Sequence, residues 1–203
     1  MTRKTYHHGD LREALLTEAE AVMARSGIAG LNLRELAKRT GVSPAAPYRH
    51  FRTKQDLIYG MAEKGYRMLC RIATDAAKKH PLDPVGQIRE VGTGYVRMAT
   101  EHGELLDMMF GSLDMRKAPE SLQTAALESH DRFSSIIHSG QLAGIYHDDM
   151  NTEELVISAW SIIHGFAVLC RTPGFQKRFR TQRDRMTFWQ RISGQMLTGI
   201  MKS

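Results

Sequence analysis

Ala45 and Ala46 are followed by Tyr48, Arg49 and His50, with Arg52 and Lys54 just beyond. These Tyr, Arg, His and Lys side chains are hydrogen-bond donors of the kind that contact phosphate oxygens and base edges. The two alanines keep the start of the segment slim enough to approach a groove closely. Such chemistry is recognition of an anionic polymer. The same spacing also fits a solvated basic face on an ordinary helix pair.

The elements that would hold these groups are legible on either side. Asn32 is placed to cap a helix by accepting from its free N–H groups. Leu33, Leu36, Ala37 and Thr40 then recur at i, i+3, i+4 and i+7, one helical face. Gly41 stands where a left-handed C-cap residue is wanted. Ser43 is expected to cap a second short helix, with Pro44 in its first turn. Two short helices joined by a Gly-containing turn make a helix-turn-helix, here over about residues 32–51. Pro47 removes a helix N–H and disfavours helical geometry at Ala46, so a distorted first turn is expected.

The run Thr40-Gly41-Val42-Ser43-Pro44, then Tyr48-Arg49-His50-Phe51, Lys54 and Asp56-Leu57, resembles the N-terminal domain of the TetR family of transcriptional regulators. The resemblance extends back to Tyr6-His7-His8-Gly9-Asp10-Leu11-Arg12 and forward to about Tyr66. It implies an all-helical homodimer whose third helix enters the major groove and whose variable C-terminal domain binds a small effector. Pro47 departs from it, since many members carry a larger apolar residue there. Carried onto this sequence, the resemblance implies DNA contacts from Arg34, Ser43, Ala45, Tyr48, Arg49, His50, Thr53 and Lys54. Tyr48, His50 and Lys54 would meet phosphates, and Ser43, Ala45 and Arg49 would lie nearer the bases. Trp160-Ser161-Ile162-Ile163-His164-Gly165 resembles a Trp–His–Gly signature of one class of TetR C-terminal domains.

The charge distribution agrees with a DNA-binding front half. The net charge is +6 over 203 residues. Residues 1–80 carry 15 Lys and Arg against 8 Asp and Glu, whereas residues 81–203 carry 13 against 14. The positive excess therefore lies with the helix-turn-helix, as a phosphate footprint requires. Apolar content of 42% and charged content of 25% are ordinary for a globular chain, and the length allows a substantial core. Cys70 and Cys170 form no disulfide framework and no CxxC pair, and both are expected as small core residues. No secretory h-region follows the N-terminus, and the apolar run 155–169 is short for a bilayer, so a cytoplasmic protein is expected.

Helical periodicity continues along the chain, and an all-α fold of about nine helices is expected. A three-helix domain over residues 9–69 should precede a larger helical effector-binding and dimerisation domain over 70–203. Arg3 and Lys4 in the N-terminal arm are candidates for a minor-groove contact. Thr53 with Asp56 should open a long helix that ends near Lys79. Asp83-Pro84 starts another, and Pro173-Gly174 breaks a helix opened by Thr152. The basic run Lys177 to Arg185 reads as a solvated linker or as a contact for an acidic partner.

Tyr95, Met98, Met109, Phe133 and Trp160 are candidate walls of an effector pocket, with His164 giving one polar contact. Trp160 and His164, at i and i+4, also suit a core or dimer seam. Val156, Trp160, Ile163, Ala167, Phe188, Ile192, Met196, Leu197 and Ile200 are the expected dimer face of the last two long helices. His147-Asp148-Asp149 could bind a cation on a loop but also has the pattern of an ordinary surface turn, His7-His8 lacks further ligands at suitable spacing, and no metal or cofactor is expected. No Gly-x-Ser-x-Gly, His-Glu-x-x-His, P-loop or dinucleotide fingerprint occurs, so an enzyme is not expected. The leading expectation is a repressor released from a palindromic operator by a small apolar or amphipathic effector. An architectural DNA-binding protein without effector, and an all-helical enzyme, are the alternatives.

Overall fold

A computed structural model describes residues 8–111 and 113–202. The arm with Arg3, Lys4 and His7 lies outside the described residues. Nine α-helices occur among the described residues: α1 His8–Ser26, α2 Leu33–Arg39, α3 Lys54–Lys79, α4 Pro84–Glu101, α5 Gly103–Gly111, α6 Glu120–Leu142, α7 Thr152–Leu169, α8 Pro173–Arg178 and α9 Gln182–Ile200. Three short 3-10 turns stand between them, and a lone antiparallel bridge joins Tyr146 to Met201. The fold is all-α, as expected. The nine helices differ from those anticipated in two places. The segment after Gly41 is a 3-10 turn, Pro47–Arg49, and the basic run after Pro173 begins as the short helix α8.

Capping chemistry fixes several of the helix starts. Thr53 and Asp56 bond reciprocally at α3: the Asp56 N–H donates to Thr53 Oγ1 at 3.1 Å and the Thr53 N–H to Asp56 Oδ2 at 3.0 Å. Asp83 accepts from the Gly86 N–H at 2.9 Å, with Pro84 at the first position of α4. At α7 the cap is Asn151 with Glu154, one residue before the expected Thr152. Thr181 and Asp184 form the same box at α9.

The chain divides into two compact units. One takes Glu104–Gln123 together with the described part of Met1–Gly65, and the other takes Tyr66–Gly103 and the described part of Thr124–Ser203. In the first, Leu15, Leu16, Ala19 and Met23 of α1, Leu33, Leu36 and Ala37 of α2, and Leu57 and Met61 of α3 are buried. Arg12 pairs with Glu63 at 3.4 Å and Lys64 with Glu13 at 2.8 Å, joining α1 to α3. Met109 of α5 fits against Gly65, where an added Cβ would stand 2.2 Å from its sulfur.

In the second unit α4, α7 and α9 pack on one another. Trp189 of α9 is fully buried, and its indole N–H donates to Thr93 Oγ1 at 3.3 Å. Phe166 lies 5.3 Å from Trp189 and 5.6 Å from Phe175, ring centre to ring centre, and Phe179 stacks on Phe188 at 4.8 Å. The basic run is thus tied down by its aromatic neighbours, with Arg185 Nη1 donating to the Phe179 carbonyl at 2.9 Å. Cys70 and Cys170 are buried and free, and burial pushes both thiols up, Cys170 to about 11. By length and composition α7, with mean hydropathy 1.2 over 18 residues, is long and apolar enough to cross a bilayer. That corrects the expectation drawn from residues 155–169, which left out its first turn. Its packing against α4 and α9 is that of a core helix.

The approach of α4 to α9 depends on Gly92. A Cβ there would stand 2.3 Å from the Trp189 ring, a rigid group held in the core. Gly92→Ala is therefore expected to overpack the site and cost about 1–3 kcal/mol. A thermal melt should show a lower Tm for this variant, and an unchanged melt would contradict the packing.

Candidate nucleic-acid interface and effector region

In the first unit α2 is closed at both ends by local bonds. The Asn32 side-chain oxygen accepts from the Arg34 N–H at 2.9 Å and the Glu35 N–H at 3.3 Å. At the other end Gly41 adopts φ 71°, the left-handed region, and its N–H donates to the Lys38 carbonyl at 3.2 Å. The Val42 N–H reaches the Ala37 carbonyl at 2.9 Å, completing a Schellman motif.

The segment after it is not an α-helix. An α-helical residue 47 would donate its N–H to the Ser43 carbonyl, and proline has none to give. The Ala46 N–H takes that carbonyl instead, at 3.0 Å, in a tighter turn. A second turn follows, in which the His50 and Phe51 N–H groups both donate to the Pro47 carbonyl at 2.9 Å. Two expectations are corrected. Ala46 keeps helical angles, φ −62° and ψ −42°, despite preceding a proline, because the tight turn itself demands them. Ser43 supplies its backbone carbonyl, and no side chain caps the 3-10 turn.

Pro47 is buried, so it serves as the apolar contact that a larger residue would otherwise make. Phe51 is buried too, against α3 at Gly60, where a Cβ would stand 2.8 Å from its ring. The Arg12 guanidinium lies 5.6 Å from the centre of the same ring. With Pro47 and Phe51 inward, Ser43, Ala45, Tyr48, Arg49, Arg52, Thr53 and Lys54 are exposed, Tyr48 at 43%. His50 is half-buried, and Arg34 is exposed on α2.

Charge separates into two populations on this unit. Arg12, Lys64 and Arg39 are spent on Glu63, Glu13 and Glu18, respectively, the last pair at 2.8 Å. Among the described residues, Arg34, Lys38, Arg49 and Arg52 form no ion pair. Lys54 donates to the Ala29 carbonyl at 3.1 Å, which anchors its ammonium at the same surface without neutralising it. These cations thus present positive charge that no carboxylate of the described residues pairs with, as binding to a polyanion requires. Lys38 was not among the sequence candidates. Its place opposite Leu33, Leu36 and Ala37 on the helical wheel is the signal that finds it.

In the second unit Tyr95, Trp160 and His164 come together. Tyr95 Oη and His164 Nδ1 are 2.8 Å apart, and the Trp160 and His164 ring centres are 5.2 Å apart. The Trp160 ring thus lies beside the imidazole that the Tyr95 hydroxyl contacts. The tyrosine oxygen and the imidazole Nδ1 use their hydrogen-bonding capacity on each other. Burial pushes the Tyr95 hydroxyl well above its ordinary pKa. Met98 is buried and Phe133 half-buried in the same unit, whereas Met109 belongs to the first unit.

The expected dimer face needs correction. Val156, Ile163, Ala167, Met196, Leu197 and Ile200 are buried within the protomer itself. Trp160, Phe188 and Ile192 are only partly covered. The apolar residues that α7 leaves exposed are Ile157 (52%), Ile162, Val168 and Leu169 (52%). A helix apolar on every side does not reveal from sequence which side faces its own core. Near the C-terminus His147 faces Asp149 at 3.2 Å and Asp148 pairs with Lys202. Among the described residues no three His, Cys, Asp or Glu side chains converge on a metal position.

These features define a helix-turn-helix DNA-binding protein with a separate helical C-terminal part. Residues 15–59 match the family described as bacterial regulatory proteins, tetR family, and residues 88–194 match the tetracyclin repressor-like C-terminal domain. The chain belongs to the tetR family of transcriptional regulators. It is 25% identical over 173 residues to the HTH-type transcriptional regulator AcrR of Shigella flexneri, covering 81% of this chain and 80% of that one. Over 183 residues it is 21% identical to the HTH-type transcriptional regulator TtgR of Pseudomonas putida, covering 81% and 82%. A solved structure of a protein of unknown function from Rhodococcus sp. RHA1 superposes with a TM-score of 0.82 at 30% identity, over 98% of this chain and all of that one. A tetR-family regulatory protein from Rhodococcus RHA1 gives 0.72 at 19% identity, over all of both chains, a likeness of fold. The family consists of regulators, not enzymes, and its members typically act on DNA as homodimers that respond to small molecules.

Proposed function

We propose that this chain is a repressor that leaves a palindromic operator when it binds a small apolar or amphipathic effector. The observation that carries the DNA half is the set of uncompensated cations, Arg34, Lys38, Arg49 and Arg52, on the surface that also exposes Tyr48 and Lys54. Residues 9–69 are proposed as the DNA-binding domain and 70–203 as the effector-binding and dimerisation domain. Tyr48, His50 and Lys54 are assigned to phosphates, with Arg34 and Thr53 beside them. Ser43, Ala45 and Arg49 are assigned nearer the bases. Such a protein acts where operator DNA is, in the cytoplasm.

The effector is proposed to bind among Tyr95, Met98, Phe133, Trp160 and His164 and to act on α3, which starts beside Lys54. Met109, seated on Gly65 of α3, is the proposed relay. The hydrogen-bonding groups of the region satisfy one another, which favours an uncharged or weakly acidic apolar compound. A ligand shifts the two states only by its differential affinity for them. Dimerisation is proposed through α7 and α9. Exposed Ile157, Ile162, Val168 and Leu169 are a liability in a monomer. The open space at Gly194 and Gly199 of α9 would let a partner helix come close.

Each part has its own test. Tyr48→Phe and Lys54→Ala should weaken operator binding across sequences and leave the fold intact. Each lost phosphate contact should lower the salt slope by about one unit, and unchanged affinity in both variants at physiological salt refutes the assignment.

Candidate compounds titrated against the operator complex should reveal an inducer, and operator DNA should weaken its binding by the same factor, typically about 5–150-fold. Trp160→Ala should reduce inducer affinity, and Met109→Ala should reduce its effect on DNA. If neither changes either quantity, the effector region is elsewhere.

Ile157→Glu with Leu169→Glu should give monomers in sedimentation and lower operator affinity together. A charge at Leu197 would test the protomer core instead. A double variant that sediments as a dimer excludes this face.

A further inference from the structure

We propose that an open groove between α3, α4 and α6 is a binding site for a small amphipathic carboxylate, with Arg132 as its anion partner. All of its walls belong to the second unit, and its volume is about 480 Å³, the size of a small-molecule site. Its residues are not those of the Tyr95–Trp160–His164 cluster.

The groove's polarity is one-sided. Ala73 and Ala77 of α3 and Ile136 of α6 supply apolar wall. The neutral polar groups around it direct their hydrogens elsewhere. Ser135 Oγ donates to the Asp131 carbonyl at 2.7 Å, Gln87 Nε2 to the His80 carbonyl at 2.8 Å, and Thr74 Oγ1 to the Cys70 carbonyl at 2.8 Å. Two cations complete the lining, Arg132 and Lys78, and no carboxylate is among the lining residues.

Arg132 is held in place by a neutral partner. One guanidinium nitrogen donates to Thr74 Oγ1 at 3.1 Å, and Arg132 forms no ion pair among the described residues. Lys78 meets Asp75 at 3.9 Å, but both side chains are about three-quarters exposed, so water and salt screen that pair. A guanidinium fixed by one N–H still offers a fork of donors that matches a carboxylate in two parallel bonds. The alanine and isoleucine wall takes an alkyl chain by displacing water from it. The second N–H of Gln87 is the one neutral donor left for a sugar, and an aromatic plate for a base is missing from the lining.

The test is calorimetric titration of the full chain, without DNA, using octanoate, 1-octanol, acetate and inorganic phosphate as probes. Octanoate should bind, and octanol and acetate should each bind at least about tenfold more weakly, because each lacks one half of the contact. Arg132→Gln should reduce octanoate affinity about tenfold or more. Ala77→Glu, an exposed helix position where no core packing is lost, should abolish binding by placing a carboxylate in the groove. Trp160→Ala should leave octanoate binding unchanged, which separates this site from the effector region proposed above. The proposal is overturned if octanoate does not bind, if octanol binds as tightly, or if binding survives both Arg132→Gln and Ala77→Glu. Phosphate binding as tight as octanoate, with the same dependence on Arg132, overturns the amphipathic class.

Discussion

The seat of Phe51 on Gly60 is the contact on which the first unit's binding surface depends. The ring enters where α3 has no side chain, beneath the Arg12 guanidinium, and the backbone just before it is pinned by two N–H bonds to the Pro47 carbonyl. With residues 47 and 51 both turned inward, the intervening chain has one side left for Tyr48 and Arg49. A regular helix would set the side chains of residues 48, 49 and 50 about 100° apart around an axis. Here their directions follow from two consecutive tight turns closed by a buried proline and a buried phenylalanine. The recognition surface is therefore shaped by packing beneath it rather than by helical periodicity.

Electrostatics follows the same division. Glu13 of α1 and Glu63 of α3 meet cations at the join between those helices, and Glu18 of α1 meets Arg39 of α2. Near the exposed turn, Asp56 is spent on the α3 cap. Partly exposed pairs of this kind add little stability. Their larger effect is on the field: with these acids committed elsewhere, exposed Glu35 faces Arg34, Lys38, Arg49, Arg52 and Lys54 in a net positive balance. Net charge alone would not place that field, and the arrangement of ion pairs does.

Much of this was legible in the sequence where a single residue type has a single local use. Asn32, Gly41 and the Thr53–Asp56 pair each solve a helix-end problem with their own atoms, and the structure uses them so. Pro47 was legible as a disturbance but not as a core residue. Its burial depends on how its turn lies against α2, which local spacing does not state. α7 marks the other limit. Val156 and Ile157 are neighbours of nearly equal hydrophobicity, yet one is buried and the other half exposed. Only the position of α4 and α9 decides between them. The family resemblance brought in what spacing could not, the pairing of a helix-turn-helix with a ligand-responsive helical part. Several residues expected on a dimer face are instead buried in the protomer, for the same reason that Val156 and Ile157 could not be told apart.

The Tyr95 cluster carries an argument about what this part of the protein can recognise. The Tyr95 hydroxyl and His164 Nδ1 bond each other at 2.8 Å with the Trp160 ring against the imidazole, so these polar groups are used on each other. A polar ligand would have to replace that bond and would gain only the difference between two bonds of similar strength. An apolar ligand leaves the cluster intact and gains from surface removed from water, at roughly 25 cal/mol per Å². At the proposed effector region this hydrogen-bonded cluster would act as a filter against sugars and nucleotides, since every polar bond they made there would cost one already formed. Specificity among apolar compounds must then come from shape, which the flexible Met98 side chain would let the region adjust.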